Sequence, residues 1–137
     1  MNNQNKITIG IRDSKLSKAQ TQEFIMLAEK NIEEINKDRF DLRFIKTSGD
    51  IHNSERLDRI GGKGLFIKEI EERILSNEVD IGVHSIKDMP TISNENLEIF
   101  CYMQRFDNSD VLISNSQKKL ANLDSGSIVG TSSVRRR

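Results

Sequence analysis

Val79 to Val83 is a nearly all-apolar run that stops abruptly at His84, Ser85, Lys87 and Asp88. So little polar alternation suits a strand covered on both faces. Such strands belong to parallel sheets flanked by helices. The polar groups at their ends sit where open α/β sheets bind ligands. This one segment therefore predicts an α/β fold with a site at a strand end.

The rest of the chain has the matching rhythm. Lys6 to Ile11 alternates apolar and polar residues and predicts a strand. Arg12-Asp13-Ser14 then opens a helical spacing in which Leu16, Ala19, Phe24, Leu27, Ala28, Ile32 and Ile35 fall near one face. Ser14 or Asp13 suits its cap. Asp41 to Lys46 predicts a second strand. From Thr47 to Gly64 the periodicity disappears, leaving a long polar loop with Gly49, Gly61, Gly62 and Gly64. Leu65 to Asn77 predicts a second amphipathic helix, with Lys68, Glu71, Glu72 and Arg73 on its outer face. Strands are predicted at Leu97–Tyr102, Val111–Ser114 and Ser127–Gly130, and a short helix at Gln117–Asn122. Residues 105–110 read as a connector between one α/β lobe and the start of another. The βαβαβ order predicts a largely parallel sheet.

Composition removes several functions. Lys plus Arg number 21 and Asp plus Glu 21, so the formal net charge is zero. A protein that holds nucleic acid by bulk charge is not built this way. Aromatic residues are 5% and Trp is absent, which leaves little for base stacking. Cys101 is the single cysteine, so no internal disulfide can form, and its apolar strand context predicts a small core residue. With His52 and His84 the only histidines, a metal site is not expected. Residues 1–6 lack the apolar region of a secretory signal, and no run approaches a membrane span. A cytoplasmic location, with no nucleic-acid or membrane partner, is expected.

Four loops at predicted strand ends carry the chemistry. Arg12 and Ser14 at a strand-to-helix turn can bind a carboxylate with help from helix-start amides, or serve as a cap beside a solvated Arg. Thr47-Ser48-Gly49-Asp50 runs on to Gly61-Gly62-Lys63-Gly64-Leu65-Phe66, where glycines let backbone approach a ligand or hinge a lid. A flexible surface turn is the plainer reading, and the spacing fits neither a P-loop nor a dinucleotide fingerprint. In His84-Ser85-Ile86-Lys87-Asp88, Lys87 can hold an anion, and Asp88 can pair with a developing cation or cap a helix. His84 reads either as a general base or as a structural histidine. Thr131-Ser132-Ser133-Val134-Arg135-Arg136-Arg137 joins hydroxyls and guanidiniums into an anion trap. Cations in three loops and one carboxylate suit a small polycarboxylate whose centre becomes positive during reaction. The chain ends just after a helix opens, which predicts a truncated chain.

In order along the chain stand Arg-x-Ser-x-Leu, Thr-x-Gly-Asp, Gly-Gly-Lys-Gly-Leu-Phe, Val-His-Ser-x-Lys-Asp-x-Pro and Gly-Thr-Ser-Ser-x-Arg-Arg. This set resembles the hydroxymethylbilane synthase (porphobilinogen deaminase) family of tetrapyrrole, or haem, biosynthesis. The resemblance implies two lobes like those of type II periplasmic binding proteins, each with a mostly parallel mixed sheet, followed by a third domain. Residues 1–103 would be the first lobe without its returning segment, and 104–137 the beginning of the second. It implies a transferase that deaminates four porphobilinogen molecules and joins them head to tail. A dipyrromethane cofactor would be linked to a Cys outside this chain, and the full-length protein would be a monomer. By resemblance, Asp88 and Arg12 are catalytic; Lys87, Ser132, Arg135 and Arg136 bind the cofactor; and Ser14, Lys63 and Phe66 contact substrate. The fragment alone is expected to be inactive. A non-catalytic carboxylate-binding module on the same kind of fold is the alternative reading.

Overall fold

Ile7, Ile9 and Ile11 form the apolar half of an alternating strand, β1 (Ile7–Ile11), which lies at the centre of a three-stranded parallel sheet. The computed structural model describes residues 6–51, 64–92, 94–114, 119–131 and 133. Two compact units divide the chain, residues 1–103 and 104–137.

In the first unit, β1 is followed by helix α1 (Lys15–Asn31) and strand β2 (Phe40–Phe44). A short helix α2 (Ser48–Ile51), helix α3 (Lys68–Leu75) and strand β3 (Ile81–Gly82) come next. The sheet order is β2-β1-β3. Ile7 pairs with Phe40 and Ile11 with Phe44 on one side of β1; Ile9 pairs with Ile81 on the other. The chain thus leaves β1 in one direction and returns to its opposite edge. Right-handed crossovers in opposite directions place α1 and α3 on opposite faces of the sheet.

Side chains that alternate across β1 meet different partners. Ile9 and Ile11 are fully buried. On the other face Gly10 leaves a shallow space filled by Ile45, Ile70 and Val79, the core cluster, with Ile74 packed against it. A Cβ at Gly10 would come within 3.1–3.2 Å of all three, so the absence of a side chain lets α3 sit close to the strand. The start of α1 is capped by Ser14, whose hydroxyl accepts from the Ser17 amide at 3.1 Å. α3 ends in a Schellman motif: Asn77 has φ 60°, its amide bonds Ile74 O at 3.0 Å, and the Glu78 amide bonds Arg73 O at 2.9 Å.

Several expectations need correction. The first helix stops at Asn31 instead of running to Ile35, and Ile32 has extended backbone. Its buried face is Ser17, Thr21 and Ala28, while Leu16 is exposed. The small hydroxyl residues are tolerated inside because they bond locally: Thr21 Oγ1 donates to Ser17 O at 2.9 Å, and Ser17 Oγ accepts from the Arg12 amide at 3.2 Å. The second helix is shorter than predicted, Lys68–Leu75, after a turn over residues 64–67. The third strand keeps ladder pairing only at Ile81–Gly82.

Residues 97–102, 111–114 and 127–130 form no strand, and all pairing among described residues is parallel, with no mixed component. The expected short helix survives as a 3-10 turn at Leu120–Asn122; residues 117 and 118 lie outside the described residues. A strand is stabilised by its partner, and no described segment pairs with these. Their apolar side chains, Phe100, Val111, Ile113 and Ile128 among them, are exposed. Cys101 is exposed for the same reason, so it is no core residue.

Candidate functional site

The strand order β2-β1-β3 makes the carboxyl ends of β1 and β3 a point where the chain departs in opposite directions, which is where open α/β sheets leave a crevice. A cleft of about 320 Å³, open part included, lies there. Arg12 and Ser14 reach it from the turn after β1, and Gln20 from α1. Phe66 comes from the turn before α3, and His84, Ser85 and Asp88 from the segment after β3.

Arg12 is the most constrained of these groups. Its Nη2 donates to Asp50 Oδ1 at 2.5 Å, and its Nε lies 3.2 and 3.3 Å from the two carboxylate oxygens. The guanidinium carbon sits 3.9 Å from the centre of the Phe66 ring. Asp50 accepts further bonds from the Thr47 amide at 3.2 Å and the Thr47 hydroxyl at 2.7 Å, and Thr47 is fully buried. Burial pushes the Asp50 carboxyl up, but the bonds from Arg12 and Thr47 outweigh it and hold its pKa below the ordinary value. Glu69 on α3 accepts from the Ser48 amide at 2.8 Å and from the Ser48 hydroxyl, which ties α2 to α3.

Ser14 spends an acceptor lone pair on its helix cap, so its hydroxyl proton remains available to a ligand. Gln20 and Ser85 exchange side-chain hydrogen bonds at 3.0 and 3.1 Å, joining α1 to the segment after β3. His84 has its Nε2 sealed from solvent without a hydrogen-bond partner among the described residues. Burial lowers its pKa below 6.5 and Arg12 adds to this, against an opposing pull from Asp88. His84 therefore stays neutral at pH 7.

Asp88 ends a 3-10 turn, Ile86–Asp88, whose amide bonds Ser85 O at 2.9 Å. No described residue donates to its carboxylate, which leaves it open to a ligand. Arg12, Ser14, Phe66 and Asp88, named from sequence, thus share one cleft. Lys87 is exposed on the same turn and does not line it. Lys63, Ser132, Arg135 and Arg136 lie outside the described residues. Gln20 and the pairing of Asp50 with Arg12 were missed. Gln20 looks like any solvated helix residue, and Asp50 lies 38 positions from its partner. Among the described residues no group of His, Cys, Asp and Glu is arranged to hold a metal, and no helix is long and apolar enough to cross a membrane.

A parallel α/β unit that gathers a carboxylate, a guanidinium and an aromatic ring around one strand-end crevice has the layout in which open α/β sheets hold small ligands. Comparison with known families narrows this. Residues 7–137 match the model of the porphobilinogen deaminase, dipyromethane cofactor binding domain. The chain is 44% identical over 131 residues to the porphobilinogen deaminase of Bacillus subtilis, covering 95% of this chain and 40% of that protein. It is 45% identical over 137 residues to that of Paracoccus denitrificans, covering 98% and 42%. Against that of Ehrlichia chaffeensis it is 47% identical over 131 residues, covering 96% and 43%. The chain belongs to the porphobilinogen deaminase family. It spans about two-fifths of the length of these relatives.

Proposed function

We propose that this chain is the substrate- and cofactor-facing portion of a hydroxymethylbilane synthase, which deaminates porphobilinogen and joins four such units head to tail. The observation that carries this reading is the meeting of the open Asp88 carboxylate with the Arg12 guanidinium and the Phe66 ring in one cleft. Porphobilinogen offers a matching set: a pyrrole N–H, a flat ring and two carboxylates. Loss of ammonia leaves its methylene carbon electron-poor, and joining it to a second pyrrole places positive charge on that ring. Asp88 accepts the pyrrole N–H and stabilises that charge where it develops. Arg12 is the second catalytic group, binding carboxylate, and Ser14 and Phe66 hold substrate by hydroxyl donation and ring contact.

The dipyrromethane cofactor has the same chemistry as the substrate, and the residues present fit it: an acceptor without a described donor, an aromatic face and a cation. When bound, it supplies the pyrrole carbon to which the first substrate unit is joined. Lys87, Arg135 and Arg136 would neutralise its acetate and propionate groups, Ser132 would donate a hydrogen bond to them, and Lys63 would meet substrate carboxylates. We read residues 1–103 as a lobe of the periplasmic-binding-protein type and 104–137 as the opening of a second. The three-stranded parallel sheet and its strand-end cleft support this, and the exposed apolar side chains of residues 97–102 support a returning segment that covers them.

The test is Asp88→Asn in the full-length gene product. The variant keeps its fold and its cofactor, and kcat falls on the order of 10²- to 10³-fold, as for loss of one charge-stabilising group. A variant that turns over porphobilinogen at the parent rate sinks the reading in favour of a carboxylate-binding module.

A further inference from the structure

We propose that Asp50 is a positioning residue for this site: it grips one edge of the Arg12 guanidinium so that the remaining N–H groups face the ligand. The inference rests on the reading that Arg12 binds substrate carboxylate.

A guanidinium carries five N–H donors in a rigid plane. Asp50 engages the edge formed by Nε and Nη2. Nη1, with two donors, and the second proton of Nη2 are left over, which is enough for a fork-like bond to a carboxylate. The Phe66 ring beneath the guanidinium fixes the tilt of that plane. Asp50 is itself held by two bonds from fully buried Thr47. The clamp of Glu69 on Ser48 fastens the same short helix to α3. A continuous set of contacts therefore runs from the core through Thr47 and Asp50 to Arg12 at the cleft. A long, flexible side chain is thus set before the ligand arrives, which lowers the ordering cost of binding.

A double-mutant cycle in the full-length gene product tests this, with kcat/KM for porphobilinogen and urea unfolding as readouts. Arg12→Gln should lower kcat/KM by about 100-fold or more, and Asp50→Asn by about 10-fold, mostly through KM. In the Arg12→Gln background Asp50→Asn should cost less than about twofold, because nothing is left to position. Thr47→Val, which removes one bond to Asp50, should show a smaller loss, about threefold, that also vanishes in that background. It serves if Asp50→Asn does not fold. Equal penalties in both backgrounds overturn the proposal, since a merely structural role multiplies through. Asp50→Asn at the parent level beside a crippled Arg12→Gln overturns the proposal alone. Arg12→Gln at the parent level removes the reading of Arg12 and the proposal with it.

Discussion

Gly49 lies against the Cδ1–Cε1 side of the Phe66 ring, so a Cβ there would overlap it. The glycine of Thr-x-Gly-Asp is therefore a packing requirement of the cleft wall. Gly49→Ala should cost about 1–3 kcal/mol, the usual range for overpacking, measured as a shift of the urea midpoint. It should also displace Phe66 from Arg12. His84 makes a pH prediction. Its folded pKa lies below the 6.5 of the unfolded chain, because burial disfavours the imidazolium. Between those two values the unfolded state binds more protons, so His84 favours folding above pH 6.5 and loses that contribution as pH falls through its lowered pKa. The urea midpoint of the parent protein should drop from pH 7.5 to 5.5 by more than that of His84→Gln. At this scale the sequence was legible where one turn supplies the cleft-lining groups, as for Arg12 with Ser14 or for Asp88. It was opaque where a side chain's setting depends on a distant partner. Nothing near Asp50 announces Arg12.

At the scale of elements, caps were readable and helix faces only partly so. Ser14, one of the two cap candidates with Asp13, caps the start of α1, and Ser14→Ala should destabilise by about 1 kcal/mol in chemical denaturation. The same change removes a hydroxyl from the cleft. The face of α1 misled because apolar spacing gives weight to Leu16, whereas burial went to Ser17 and Thr21, which satisfy their hydroxyls locally. α3 is shorter than its spacing implied and leaves Leu75 exposed, but Ile70 is fully buried in the core cluster and Ile74 packs against it. Ile70→Ala should cost about 2–5 kcal/mol by the same measurement, as for other large-to-small core changes. The outer face of α3 matters less. Lys68 and Glu72 are 3.8 Å apart and exposed, and such pairs contribute about 0.2–0.5 kcal/mol.

Across the whole molecule, the α/β class, the parallel sheet and the ordered family motifs were all present in the linear pattern. Local propensity and periodicity determine those, because each depends on residues a few positions apart. Strands at 97–102, 111–114 and 127–130 were not determined that way, since alternation supplies a surface and only a neighbouring chain supplies a ladder. The crevice itself came from topology. Strand order β2-β1-β3 gathers the ends of β1 and β3, and so brings position 12 beside 88 and over 66. The sequence by itself determined which charged and polar side chains stand at the turns after the strands. Tertiary structure decided which of them stand together and that Asp50 occupies one edge of Arg12. Distance and direction between residues far apart in the chain exist only once the sheet has formed.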